Sequence, residues 1–480
     1  MTIDLTQTLA WTRANHEQQQ MLQALQGNIL KGHGRKQTIN MFFHIDPTKS
    51  LAMKRALREL ANFHITSAER QLRETQVFQE QKTSGTPFVA AFLSASGYAA
   101  LGLAAQAPQG EPLFLQGMRS AASIGALSDP PVPAWEPAFQ NPIDGMVLVG
   151  EDDPNTLQLK RDQIAALLDE GGATIIHEQR GAAVRDHAGQ GIEHFGYVDG
   201  RSQPLLLQED VEQESAEAGI SRWDPQFSLG IALVKDKAVT DDISFGSYFI
   251  FRKLEQNVQG FKRQEQVLAT KLGLSGDEAR ELAGALVVGR FEDGTPVTLS
   301  DEAKALVPPN DFDYTGDAGQ RCPFHGHIRK VNPRGSGPGG AADERTRLMP
   351  RRGIPYTDKP RKVHASDLPG SSSLSDFDAN VKTLLPTKDV GLLFMAYNAR
   401  LAQQFVFTQA SWANNAGFPA GGTGIDPIIG QSAAVPGAQH WQQTWDDAAS
   451  PKKDQDFHGF VTMKGGEYFF APSLTFFRNL

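Results

Sequence analysis

The stretch 38–63, TINMFFHIDPTKSLAMKRALRELANF, sets the class of fold. Its first part, Thr38 to Ile45, is an apolar run of the kind that forms a buried strand. Over Ser50 to Phe63 the apolar positions become Leu51, Met53, Ala56, Leu57, Leu60 and Ala61. That spacing lays one apolar stripe along a helix. A strand followed by an amphipathic helix returns at Gly145 to Gly150 and Thr156 to Leu168. There Thr156 reads as the cap, and Leu157, Leu159, Ile164, Ala165 and Leu168 as the apolar positions. Further strands are predicted at Pro87–Ser94, Ala173–Ile176, Phe227–Val234, Ser247–Phe251, Gly391–Tyr397 and Gly466–Pro472. Further helices are predicted at Gln264–Leu272, Asp277–Leu286 and Arg400–Asn414. The elements mix without the strict alternation of a doubly wound sheet. An α+β fold, with helices packed on antiparallel sheets, fits better.

Three segments read as loops. Ser128–Asn141 carries four prolines, Asn332–Ala342 (NPRGSGPGGAA) is flexible by composition, and Gly370–Ser375 is rich in serine. Leu25–Arg35 is a glycine-rich fourth. The 480 residues carry a net charge of −9, which argues against a primary nucleic-acid binder. The one cysteine, Cys322, excludes an intramolecular disulfide and a multi-thiolate zinc site. Met1 to Met21 has no basic start, apolar stretch or twin arginine, and no run is long enough to span a membrane. A soluble cytoplasmic protein is the expectation.

Chemistry concentrates in three segments. Residues 321–334, RCPFHGHIRKVNPR, bring together His325, His327, Arg321, Arg329, Lys330 and Arg334. Imidazole suits iron, and guanidinium groups suit the carboxylates of an anionic cofactor. A solvated basic loop, or a divalent-metal pair made of His325 and His327, remains open on residue type alone. In HFGYVDGRSQP at 194–204, Asp199 stands at a D-G step, either an ordinary turn or a partly desolvated general base. In RTRLMPRRGIPY at 345–356, Arg351 and Arg352 are either surface charges or a fixed cation facing developing negative charge.

Taken together, these segments resemble the dye-decolourising haem peroxidases. GYVDG at 196–200 is similar to the family's G-x-x-D-G signature. CPFHGHIRKVNPR at 322–334 resembles its proximal segment, and PRRGIPY at 350–356 its distal arginine segment. LQGNILKGHGR at 25–35, VGRFEDGTP at 288–296, GLLFMAY at 391–397, DPIIGQ at 426–431 and GGEYFFAPS at 465–473 follow in family order. The longer loops are similar to those of the larger bacterial and fungal subgroup.

The resemblance implies two ferredoxin-like halves, 1–225 with the GYVDG loop and 226–480 with the haem. It implies haem b ligated by His327, with His325 at a variable position that shares a face with it if the segment is a strand. Asp199 takes the distal acid position, and Arg351 the distal arginine position with Arg352 as the adjacent alternative. Leu392 and Phe394 line the distal pocket, and Asp426 accepts the second ring N–H of the ligand. Arg351 would lower the pKa of Asp199 if the two come into contact. The implied activity is oxidation of dyes, phenols and other bulky donors by hydrogen peroxide, at the haem edge or through a surface aromatic. Trp11, Trp135, Trp223, Trp412, Trp441, Trp445 and the tyrosines are the aromatics on offer. A haem carrier with little turnover would share His327 but would have no need of both Asp199 and Arg351.

Overall fold

The computed structural model describes residues 3–304, 307–359, 370–431 and 439–480. The apolar run forms strand β1 (Gln37–Ile45), with Met41, Phe42 and Phe43 wholly buried. It pairs antiparallel with β3 (Gly145–Glu151) on one side and β4 (Ala173–Ala182) on the other. Strand β2 (Phe88–Leu93) lies beyond β3. The later strands are β5 (Val234–Lys235), β6 (Phe245–Gln256), β7 (Ile354–Thr357), β8 (Val390–Asn398) and β9 (Val461–Ala471). All nine join one sheet, in the order β4-β1-β3-β2-β9-β6-β8-β7, with β5 on β6.

The C-terminal strand β9 is the seam. Phe470 sits opposite Leu93 of β2, and most of β9 runs along β6. The two ends of the strand order also meet. A Cβ on Gly181 of β4 would lie 2.5 Å from Ile354 of β7, so only glycine lets these edges approach. Gln179 of β4 donates to Asp358 just past β7 at 3.1 Å. The sheet therefore curls toward closure, which leaves little open edge.

The helices cover the sheet as the apolar spacing requires. In α1 (Ser50–Phe63) Met53, Ala56, Leu57, Leu60 and Ala61 are buried, each large one contributing about 1.5–3 kcal/mol. Leu51 and Leu159, both expected on an apolar face, stand apart at 64% and 65% exposure. In α2 (Pro154–Glu170) the cap is Asp153, whose carboxylate accepts the Thr156 N–H at 2.8 Å. The helix thus starts before the expected Thr156, because Asp153 and Pro154 together suit the N-terminus better. The remaining helices that matter for the site are α3 (Val258–Leu272) and α4 (Asp277–Val288), which pack into a second core with Phe195, Tyr197, Tyr314, Cys322 and Trp441.

Three local expectations fail. Residues 227–234 are not a strand: a 3₁₀ turn covers Leu229–Ile231, and only Val234 and Lys235 enter the ladder. Residues 400–414 are not one α-helix but a turn, a short helix over Phe405–Phe407 and a π-helical turn over Thr408–Ala413. The segment 332–342 is held in place, since the Glu344 carboxylate accepts the N–H groups of Gly335 (2.5 Å) and Gly337 (2.7 Å). The serine-rich stretch supplies Ser373 as the cap of the helix Leu374–Asn380, while Pro369 before it lies outside the described residues. Among the described residues, no helix is long and apolar enough to cross a membrane.

One ion pair is built into the sheet itself. Arg252 of β6 grips Asp129 with two hydrogen bonds of 2.8 and 2.5 Å, both side chains being almost wholly buried. Arg252→Met would leave the Asp129 carboxylate buried and unpaired. Such a break costs about 3–5 kcal/mol, and urea unfolding should show it as a lower midpoint at unchanged slope. A midpoint equal to that of the native chain would show that the pair adds nothing.

Candidate functional site

Between the sheet and the second core lies a cavity of about 610 Å³. Strand alternation builds one wall. Leu392 and Phe394 of β8 face the cavity, as do Arg252 and Leu254 of β6, while Leu393 and Met395 turn into the core. Leu392 pairs with Leu254 and Phe394 with Arg252, so the four side chains form one patch.

His327 comes to this cavity on α5 (His327–Val331), a helix of five residues. The end of α4 makes room for it. Gly289 adopts φ 99°, and a Cβ there would sit 2.3 Å from Ile328 Cγ1. Nδ1 of His327 lies 2.9 and 3.1 Å from the two carboxylate oxygens of Asp426, so the N–H on that nitrogen donates to the carboxylate. The same carboxylate accepts the N–H groups of Ile428 (2.8 Å) and Ile429 (2.9 Å). Burial opposes charge on the His327 ring, but the Asp426 carboxylate outweighs it and the pKa is raised. Burial likewise works to raise Asp426, and His327 overrides it to hold that pKa below the usual carboxylate range. With Nδ1 occupied, Nε2 is the nitrogen left for a ligand. The side chain keeps 24% of its surface open, and it lines the cavity.

His325 does not share that side. A turn precedes α5, so the two rings diverge where a strand would have aligned them. His325 is buried edge-on to Trp441 at 4.3 Å, and burial depresses its pKa to about 3. The basic residues of the segment also separate. Lys330 donates to the carbonyls of Asn415 (2.9 Å), Phe418 (2.8 Å) and Gly424, tying α5 to the chain that leads to Asp426. Arg329 is buried against Asp317 at 3.2 Å, and Arg321 pairs with Asp446 at 3.0 Å. Of the four, Arg334 alone lines the cavity.

Arg334 and the neighbouring Arg290 carry the second feature. Arg334 donates to the carbonyls of Asn310 (2.7 Å) and Phe312 (2.6 Å), to Ser202 Oγ (2.9 Å) and to Asn310 Oδ1 (2.9 Å). Arg290 donates to the carbonyls of Gly294 (2.7 Å) and Pro309 (2.8 Å). Every one of these acceptors is neutral. Burial pushes the Arg334 pKa down to about 9 and that of Arg290 to about 10. Two desolvated guanidinium groups without a carboxylate partner among the described residues fit a ligand that brings its own acid groups. An imidazole nitrogen on one wall, an apolar patch on another and this cationic corner together suit an iron porphyrin with its carboxylates. The volume also lies within the range of cofactor sites.

Asp199 and Arg351 line the same cavity. The Asp199 N–H donates to the Gly191 carbonyl at 3.0 Å, and its carboxylate accepts the Gly200 N–H at 2.6 Å. Arg351 donates its N–H to Gln203 Oε1 at 3.0 Å and its guanidinium to the Ser202 carbonyl at 3.1 Å. Among the described residues the guanidinium bonds to that carbonyl rather than to the Asp199 carboxylate, so the anticipated contact pair does not form. The two still sense each other. Burial lowers the Arg351 pKa, and the Asp199 charge works against that lowering. Arg352 is separated from Arg351 by its partners. It donates to the carbonyls of Asn28 (2.7 Å), Ile29 (3.0 Å) and Arg351 (2.8 Å), which fastens the LQGNILKGHGR loop to the arginine segment.

Several cavity residues escaped sequence reasoning: Ser202, Gln203, Glu193, Gln256 and His33. His33, Ser202 and Gln203 stand inside the quoted motifs and Glu193 and Gln256 outside them, but each is polar and short-range neighbours do not reveal what it faces. His33 is stacked on Phe88 at 4.9 Å, and burial depresses its pKa to about 3. Among the tryptophans, Trp135, Trp223, Trp412 and Trp441 are buried, while Trp11 and Trp445 are partly exposed.

Comparison with known proteins agrees with this geometry. The DyP dimeric alpha+beta barrel domain matches residues 24–185. The chain is 44% identical to the multifunctional dye peroxidase DyP2 of Amycolatopsis sp. over the full length of both. The solved structure of that peroxidase superposes with a TM-score of 0.92 at 43% identity, again over all of both chains. A DyP-type peroxidase of Anabaena sp. gives a TM-score of 0.86 at 38% identity, covering 96% of this chain and 94% of that one. A dye-decolorizing peroxidase of the fungus Mycetinis scorodonius is 30% identical, covering 95% of this chain and 86% of that protein. A dye-decolorizing peroxidase solved in complex with 2,6-dimethoxyphenol gives a TM-score of 0.74 at 28% identity, over 95% and 98% of the two chains. Matched end to end by such relatives, and folded as the same antiparallel α+β barrel, the chain belongs to the dye-decolourising peroxidases, a family of haem enzymes, and is a peroxidase.

Proposed function

We propose that the chain holds haem b in the 610 Å³ cavity through His327 and uses hydrogen peroxide to oxidise dyes, phenols and other bulky donors. The observation that carries this reading is the opening of His327 onto the same cavity that Asp199 and Arg351 line. Asp426 keeps a proton on Nδ1, so Nε2 presents its lone pair to iron. Arg334 and Arg290 would receive the cofactor carboxylates. When bound, the haem supplies the electrons that reduce peroxide. Asp199, as carboxylate, takes a proton from one peroxide oxygen and returns it to the departing oxygen. Arg351 stabilises the charge that grows on that departing oxygen. Leu392 and Phe394 restrict the distal space to small oxidants and keep bulk water out.

Bulky donors would be oxidised outside the distal space, at the edge of the bound haem or through an aromatic side chain near the surface. The relative that binds 2,6-dimethoxyphenol makes a methoxyphenol the natural first donor to test. In this reading, residues 1–225 carry the distal GYVDG loop, residues 226–480 hold the haem, and the enzyme works in the cytoplasm.

The test is a haem-loaded preparation. It should show the Soret spectrum of histidine-ligated ferric haem and oxidise 2,6-dimethoxyphenol at acid pH only when peroxide is added. Protein that stays colourless with ample haem would sink the proposal, and a coloured protein without peroxide-dependent turnover would mark a carrier. Asp426→Asn adds a finer check. It weakens the acceptor of the Nδ1 proton and should cost about 10–100-fold in haem affinity or activity. An unchanged haem titration and an unchanged rate would remove Asp426 from the scheme.

A further inference from the structure

Glu193 is a cavity-lining carboxylate to which the reaction above gives no task. It stands at the start of the loop that carries Asp199, and the loop is folded around it. Its two carboxylate oxygens accept the N–H groups of Phe195 (2.8 Å) and Tyr197 (3.1 Å). Its backbone closes the same turn, with its N–H on the Tyr197 carbonyl (3.1 Å) and its carbonyl accepting from Gly196 (3.0 Å). A third donor arrives from the sheet: Gln256 of β6 donates its Nε2 to the Glu193 carboxylate. The other end of that amide, Gln256 Oε1, is buried and, among the described residues, has no hydrogen-bond partner.

These contacts tie the turn 193–197 to β6, two residues before Asp199. The orphaned Gln256 oxygen gives the tie a second form. With Glu193 ionised, the amide N–H₂ donates to the carboxylate. With Glu193 protonated, the amide turns over and its carbonyl accepts the new O–H, since the two ends of a glutamine amide occupy nearly the same shape. The other Glu193 oxygen, Oε1, still accepts the Tyr197 N–H. We propose that Glu193 and Gln256 form a latch that keeps the GYVDG loop, and hence Asp199, in place whether or not Glu193 carries a proton. Glu193 is thus a positioning residue, and the inference rests on the role given to Asp199.

Such tolerance matters because burial draws Glu193 toward its protonated form. Burial pushes the Glu193 pKa up to about 7, against the pull of its three donors. Of the charged groups, Asp199 on its own loop opposes its ionisation, and Arg252 on β6, His327 on α5, and Arg351 and Arg352 before β7 line the same cavity. Glu265 and Lys262 of α3 stand behind Tyr197, the first accepting its hydroxyl at 2.5 Å. A plain carboxylate clamp in this position would loosen on acidification; the latch would not.

The experiment measures the bimolecular rate of peroxide with haem-loaded enzyme by stopped flow, from about pH 4 to about pH 8. Glu193→Ala should slow it by at least about tenfold, and Glu193→Gln should restore most of the loss, because its amide supplies both an acceptor and a donor. Gln256→Glu, which folds with one shared proton in acid, should lose rate progressively as pH rises and the two carboxylates come to repel each other. If Glu193→Gln is as slow as Glu193→Ala, or Gln256→Glu follows the native pH profile, the latch is overturned. Asp199→Asn, run alongside, separates the two claims. Should it react at the native rate, the Asp199 reading fails and takes the latch with it. Should it be slow while Glu193→Ala keeps the native rate, the latch alone fails.

Discussion

His327→Ala is expected to bind haem at least about 100-fold more weakly than the native chain and to lose the histidine-ligated spectrum. Removing an outer partner of a metal ligand already costs about 10–100-fold, and in the proposed scheme this substitution removes the ligand itself. Among the described residues, its sequence neighbour His325 cannot replace it. His325 is two residues away but faces Trp441, and its Nε2 is buried with no hydrogen-bond partner among the described residues. His325→Ala should accordingly keep the native spectrum, although the hole beside Trp441 will lower stability. Haem titration followed in the Soret band checks both variants. Native ligation in His327→Ala, with loss of it in His325→Ala, would reverse the assignment.

Asp199→Asn is expected to slow the peroxide reaction by about 10²–10⁴-fold while leaving haem bound, the span typical for removal of a positioned general base. The substitution keeps the shape of the side chain, and the amide oxygen can still accept the Gly200 N–H, so the loop has little reason to move. What it removes is the ability to take a proton. Stopped-flow mixing with peroxide reads the step directly, before any donor is oxidised. Arg351→Leu is the companion measurement, since its guanidinium touches the Ser202 carbonyl and not the acid. A large effect of Arg351→Leu beside a native rate for Asp199→Asn would mean that charge stabilisation operates at this site without that base.

The strands and helices that build the sheet were legible in the chain for a simple reason. A buried strand or an amphipathic helix declares itself through neighbours two to four positions away, as in 38–63. The failures share the opposite cause. The apolar residues of 227–234 suit a strand, but they turn into a 3₁₀ segment because only Val234 and Lys235 find an edge to pair with. The glycines of 332–342 suggest mobility, yet Glu344 binds two of their N–H groups.

The site divides in the same way. His327, Asp199, Arg351, Leu392, Phe394 and Asp426 could all be named from the chain, because the motifs that hold them are contiguous and ordered. Which histidine opens on the cavity, which loop each arginine of the pair is tied to, and which basic groups brace α5 were decided by tertiary structure. Each answer depends on partners far along the chain: Trp441 for His325, Asn28 and Ile29 for Arg352, Asn415 and Phe418 for Lys330. Glu193 and Gln256 belong to the same group, since nothing in either segment shows that a buried amide will meet a buried carboxylate. Local spacing carries the elements and the motifs because it acts over one turn or one pleat. Burial, pairing and charge are long-range quantities, and they take a value only when the folded chain brings distant residues to the same few ångströms.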